Sequence, residues 1–167
     1  MAHSVRIRKA SRKDFNFILH LSAETLSIEL TAYEREHISQ RRLVNVMGKN
    51  LRRLMGASGM VTLVAETDAG ERAGFVMVGR SASVFTDQEQ AFVYDIAVAP
   101  EFRRRGIGRL LMEQAETHAR DHGMAFISLM VDSQNKAARA LYTELDYQES
   151  KLLMRKLLAA GPTAQED

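Results

Sequence analysis

The segment Val98-Ala99-Pro100-Glu101-Phe102-Arg103-Arg104-Arg105-Gly106-Ile107-Gly108-Arg109 decides how this chain is read. It starts at the end of an apolar run, Ala91–Ala99, whose one charge is Asp95. A strand covered on both faces reads this way, because alternation vanishes when neither face meets water. Pro100 ends the run, having no N–H to give to a ladder. A helix then opens at Gly106-Ile107-Gly108 and runs to about His122, with Gly123 closing it. Glycines let a backbone approach a ligand closely and adopt positive φ. The first N–H groups of a helix have no internal partners and carry partial positive charge. A strand, a basic glycine turn and a helix start therefore suit a phosphate or pyrophosphate, and arginines add charge-assisted bonds. A bare G-x-G fits a plain basic surface turn equally well. Two nucleotide fingerprints fit poorly: position 111 is Leu where G-x-G-x-x-G needs its third glycine, and no G-x-x-x-x-G-K-[ST] occurs.

Working outward, Met124–Val131 reads as a second buried strand, Asn135–Glu144 as a short helix and Tyr147–Leu157 as a last strand. Upstream, Met60–Glu66 and Ala73–Arg80 flank Thr67-Asp68-Ala69-Gly70-Glu71-Arg72, a hairpin signal. Ser81–Gln90 reads as a polar loop. Residues 4–9 form a short strand. Ser11 and Asp14 make a capping box, followed by Phe15, Ile18, Leu19, Leu26 and Leu30 at helical spacing. A second helix is predicted over about 33–55, with Leu43, Met47, Leu51 and Leu54 on one face and Arg41, Arg42, Lys49, Arg52 and Arg53 roughly opposite. Residues 31–56 hold six basic and two acidic side chains, a local +4 within a chain whose total is +2.

With 167 residues and no repeat or linker, the chain is expected to be one α/β domain over 1–158, with a disordered tail at 159–167. Cysteine is absent, which excludes disulfides, cysteine zinc sites and a cysteine acyl-enzyme. His118-x-x-x-His122 has zinc spacing but no further ligand nearby in the sequence, so no metal is expected. The N-terminal residues lack the apolar run of a leader, and no stretch nears ~18 apolar residues. A cytoplasmic protein is expected. The small net charge argues against nucleic acid as partner.

The glycine turn resembles the acyl-CoA motif of the GNAT superfamily of N-acetyltransferases, [QR]-x-x-G-x-[GA], through Arg103, Gly106 and Gly108. Asn135, Ala138, Leu141 and Tyr142 resemble its second motif, N-x-x-A-x-x-L-Y. The resemblance spans about 60–157. It implies a three-layer fold of mixed α/β type. The sheet would be central, twisted and mostly antiparallel, with six to seven strands, splayed between the fourth and fifth and flanked by about four helices. It also implies acetyl-CoA as cosubstrate, an amine acceptor and a possible homodimer. The pyrophosphate would lie on the turn at Arg103, Arg104, Arg105, Gly106, Ile107, Gly108 and Arg109. The pantetheine would run beside Ile96, Ala97 and Val98, with Asn135, Ala138 and Tyr142 opposite. An N–H near Val98 would polarise the thioester carbonyl.

By the same resemblance Tyr142 supplies a proton to the leaving thiolate; a phenol with pKa about 10 is protonated at neutral pH. The base has three candidates: Asp95, Glu89 or a water relay. Relatives with a glutamate five residues before the motif asparagine use that; here the position is Met130. Relatives usually carry glycine where this chain has Asp146, and Asp tolerates the left-handed region better than most residues. By the same resemblance Ser22–Arg42, including Glu29, Tyr33, Glu34 and Glu36, and the loop Ser81–Gln90 are expected near the acceptor. The leading reading is a direct transfer of acetyl to a primary amine of a small molecule, peptide or protein. The alternatives are a non-catalytic acyl-CoA sensor and a nucleic-acid binder.

Overall fold

The sheet is built around Phe75, Val76, Met77 and Val78, four consecutive residues with no solvent exposure. A run buried on both faces belongs at the centre of a sheet with helices on each side. The computed structural model describes residues 4–82 and 88–158, without the side chains of 28 and 29. The strands are β1 (Val5–Lys9), β2 (Met60–Thr67), β3 (Arg72–Ala82), β4 (Glu89–Val98) and β5 (Ile127–Leu129). The helices are α1 (Phe15–Glu29), α2 (Ala32–His37), α3 (Gln40–Met55), α4 (Ile107–Asp121) and α5 (Lys136–Glu144). Strand order follows the chain, β1-β2-β3-β4-β5. The first three pairings are antiparallel and β4–β5 is parallel. α1 packs on α3 and on β4, and α4 packs on β3 and β4. Ile18 and Leu21 from α1, and Leu111, Met112 and Ala115 from α4, complete the core.

This is the expected mixed α/β layering, with three differences. The helix predicted over 33–55 is two helices, because Ile38 is extended (φ −118°, ψ 111°) and the Ser39 side chain accepts from Arg42 N to start α3. The described residues therefore hold five α-helices. Among the described residues it has five strands, not six to seven: residues 147–158 follow α5 without joining a ladder. β5 is three residues long where eight read as strand, because the chain leaves β4 after Leu129. The expected tail at 159–167 lies outside the described residues.

One buried carboxylate ties the layers together. Asp14 is fully buried beneath the start of α1. Arg8 of β1 donates to it from Nη1 and Nη2 at 2.9 and 3.0 Å, and Arg72 of β3 from Nε at 2.7 Å. Ser11 N and Oγ donate at 2.7 and 2.8 Å, the arrangement the capping box predicts. Arg8 also binds Glu66 of β2. Hydrogen bonding from Arg8 outweighs burial and, with Ser11 and Arg72, holds the Asp14 carboxyl far below the usual range. Glu66 is held low by Arg6 first and Arg8 second.

A lowered folded pKa contributes stability above the unfolded value near 4, and that stability is lost as pH falls through the folded value. Asp14→Asn should cost about 2 kcal/mol in urea unfolding at pH 7, since it removes the charge from hydrogen bonds that a buried carboxylate accepts from the part-exposed guanidinium groups of Arg8 and Arg72. The native chain should lose stability steadily below about pH 4, and the variant should lose less over that interval.

Candidate active site

β4 is bonded along its length to β3, from Glu89 to Val98, but to β5 only at Ala91, Phe92 and Val93. At that point the register of β3 against β4 shifts between Met77 and Val78, which face Asp95 and Val93, so Tyr94 is an extra residue. A bulge of this kind reverses which way successive peptide groups point. Ala91 N bonds toward β5 through Phe126 O, while Ala99 N bonds the other way, to Ala73 O. Alternation then directs the N–H groups of Ile96 and Val98 to the edge that β5 has left. The splay opens a cleft of about 290 Å³. Its walls are Val93–Ile96 of β4, Leu129–Val131, Ser22, Thr25 and Leu26 of α1, Met47 of α3, and Asn135, Ala138 and Tyr142.

Asp95 lies in this cleft, partly buried, and Ser22 Oγ donates to its Oδ2 at 2.5 Å. Tyr142 is buried on α5, its ring 5.8 Å from that of Tyr147. Asn135 caps α5, accepting from Ala138 N at 3.1 Å through Oδ1. Asp146 adopts φ +64° after α5, as an aspartate in the glycine position can. Glu89 stands at the other end of β4, exposed and paired with Arg80 at 3.1 Å. Six residues of strand put it roughly 20 Å from Asp95. It is outside the cleft.

The turn after β4 ends at Gly106, which is left-handed at φ +77° and starts α4 with no side-chain cap. The first turn of α4 has no acidic residue. Its first N–H groups are thus left without helical partners. Arg104 is also left-handed, at φ +61°. Three arginines of the segment have structural contacts. Arg103 Nε donates to Val98 O at 3.1 Å, Arg105 lies over the Phe102 ring at 5.4 Å, and Arg109 pairs with Glu144 at 2.6 Å. Anion capacity therefore rests on the backbone amides more than the arginine count suggests. These residues fit a CoA pyrophosphate and an extended pantetheine: an uncapped helix start adjoins an unpaired strand edge.

Two residues the motif reading passed over shape this site. Ser22 holds Asp95 across 73 positions of sequence, and only its place one turn after Ile18 marks its inward face. Gly74 lies against β4, where an added Cβ would meet Ala97 O at 2.7 Å and Val98 Cα at 3.2 Å. A glycine inside a strand is the available signal for such close approach. Of the expected acceptor segments, Ser22, Thr25 and Leu26 reach the cleft; the Glu29 side chain and residues 83–87 are outside the described residues, while Ser81 and Ala82 end β3 and Glu89 and Gln90 begin β4, away from the cleft. The His118 and His122 ring centroids lie 4.1 Å apart with the planes tilted by 40°, and among the described residues no group of three ligating side chains occurs. No described helix is long and apolar enough to cross a membrane.

Residues 22–147 match the acetyltransferase (GNAT) family, and the chain belongs to that family. A [ribosomal protein bS18]-alanine N-acetyltransferase of Salmonella typhimurium is 38% identical over 64 residues, 38% of this chain and 43% of that enzyme. The chain thus spans less than half the length of that curated relative. A putative acetyl transferase from Pyrococcus furiosus superposes with a TM-score of 0.79 at 24% identity, covering 93% of this chain and 100% of the other. AAC(6')-Iy in complex with the bisubstrate analog CoA-S-monomethyl-acetylneamine gives 0.70 at 14% identity, covering 94% and 99%. At these identities the two structures report a shared fold.

Gly74→Ala should cost about 2 kcal/mol, because its clash is with backbone that must move. Gly106→Ala should cost about 1 kcal/mol from positive φ alone, as nothing lies within 4 Å of the added carbon. Thermal melts of the two variants should show the larger drop for Gly74→Ala.

Proposed function

We propose that this chain is a cytoplasmic acetyltransferase, with residues 1–158 as one catalytic domain, moving acetyl from acetyl-CoA directly to a primary amine. The observation that carries the reading is that the β4 edge left by β5, reaching the cleft at Ile96, faces Tyr142 of α5 there, while the uncapped start of α4 adjoins the end of that same edge, a carbon added to Gly108 lying 3.9 Å from Val98 Cγ2 and 3.1 Å from Leu141 Cδ2. The family match and the CoA-analogue complex of a protein with the same fold support it. Bound acetyl-CoA supplies an activated acetyl group on sulfur.

The amides at the start of α4 bind the pyrophosphate, with Arg104 contributing positive charge. The edge of β4 at Ile96 and Val98 receives the pantetheine as a further strand would be received. The Val98 N–H donates to the thioester oxygen as it gains charge during attack. Asp95, held by Ser22, takes the amine proton directly or through one water. Tyr142 O–H gives a proton to the departing sulfur. Asn135 fixes the start of α5, and so the distance from Tyr142 to β4. Ser22, Thr25 and Met47 wall the side from which the amine enters. The acceptor is the primary amine of a small molecule or peptide. The Salmonella relative, named for a ribosomal-protein alanine, is one precedent.

Labelled acetyl-CoA with a panel of small amines and peptide N-termini tests the reading; transfer to none of them overturns it. Acetyl-CoA should raise the melting temperature, by an amount equivalent to about 2.7 kcal/mol at 100 times Kd. No shift at millimolar concentration counts against the cradle. Tyr142→Phe should lower kcat about 100-fold, the lower bound for a positioned acid, while leaving the acetyl-CoA melting shift intact. Unchanged turnover with a chemistry-limited amine removes Tyr142 from the acid role.

A further inference from the structure

A second cavity, of about 350 Å³, lies between the sheet and the far end of α4. It shares no lining residue with the cleft at β4. His118 forms part of its wall and follows Ile107 by roughly 16 Å of helix, so the cavity stands well away from the glycine turn. Basic side chains reach it from three elements: Lys9 ends β1, Arg80 lies near the end of β3, and His118 and His122 close α4. Among the described residues, none that lines it is acidic. Met55, Met60, Val61, Val78 and Met124 give it an apolar lining. A carbon added to Gly79 would lie 2.8 Å from Met60 Cε, so the glycine is what lets that thioether rest on the sheet.

We infer that this cavity is a second ligand site that takes a small amphiphilic carboxylate, its apolar body on the methionines and its head among Lys9, His118 and His122. The volume is at the small end for ligand sites. Methionine thioethers are polarizable and adapt to varied apolar shapes. Arg80 is held by Glu89 at 3.1 Å. Lys9 is then the permanent charge at the head, and the histidines supply charge on demand. That suits one negative charge better than a phosphate dianion. His122 Nδ1 lies 2.8 Å from His118 O, and a carbonyl only accepts, so Nδ1 carries a proton and Nε2 is the atom that gains one. The charged groups around the pair are Lys9, Arg80 with its partner Glu89, and Asp121. Burial first, then His122 and Lys9, hold His118 below its ordinary pKa, with Asp121 opposing. His118 is therefore mostly neutral at pH 7, and a carboxylate seated beside it favours the charged form. Binding takes up protons and tightens as pH falls toward 6.

Binding at this site can be read without any acetyl transfer. Millimolar sodium octanoate, added to the full chain labelled at its methionine methyl carbons, should shift the NMR signals of Met55, Met60 and Met124. Met47 and Met130, which line the β4 cleft, should stay in place. Octanol and octylammonium carry the same tail without the negative head and should bind about 10-fold more weakly, as should inorganic phosphate, which has no tail. No shift, shifts at Met47 and Met130 as large as those at the cavity, or equal binding by any of these three controls overturns the inference. Lys9 is exposed, so Lys9→Glu should keep the native spectrum while weakening octanoate about 10-fold. In the native chain octanoate should bind about fivefold more tightly at pH 6 than at pH 8, and His118→Gln should flatten that dependence. An octanoate Kd indifferent to Lys9→Glu, or identical at the two pH values, also overturns the inference.

Discussion

β4 has a full partner on one side and three residues of partner on the other. The architecture of the site depends on that inequality. A strand that stayed paired on both sides would have no N–H groups to offer and no gap to admit a ligand. A strand free on both sides would lack a rigid backbone to hold Asp95. The extra residue at Tyr94 sits where pairing with β5 ends, so the peptide groups that lose their partner belong to Ile96 and Val98. Gly74 then lets β3 lie close enough to keep that edge fixed.

The charges serve the scaffold more than the composition implies. Asp14 gathers Arg8, Arg72 and the Ser11 amide at one buried point, joining β1, β3 and the start of α1. α1 in turn carries Ser22, two turns along, to Asp95, so one helix joins the structural ion cluster to the cleft. In the glycine turn, Arg103 braces the end of β4 and Arg109 binds α5 through Glu144. These contacts set the spacing of β4, α4 and α5 before any ligand arrives. On the basic face of α3, Arg52 lies over the Phe15 ring at 5.2 Å, so that charge too has a packing partner.

Much of the fold is legible in the sequence where local chemistry suffices. The capping box at Ser11 and Asp14, the hairpin through Gly70, the buried run of β4 and the helix after Gly106 each follow from a few neighbouring residues. The break at Ile38-Ser39 was legible only in its serine cap; the helical periodicity across it hid the extended residue. The strand reading of 147–157 came from apolar content. Its side chains have that content but, among the described residues, no ladder to join. Of the site, Asp95, Asn135, Ala138 and Tyr142 do meet in one cleft, whereas Glu89 shares a strand with Asp95 but not its surroundings.

By itself the sequence determined the conformations that a few adjacent residues can enforce: a left-handed glycine before a helix, a serine or asparagine at a helix start, a strand with no polar face. It also determined the motif order from which the family is read. The tertiary structure decided where pairing stops. That required the bulge opposite Met77, the close pass of Gly74 under Ala97, and Ser22 reaching Asp95 across 73 positions. No local window contains both partners of such contacts. The long-range packing that brings them together therefore selects which β4 amides stay open, while the local pattern only makes the strand.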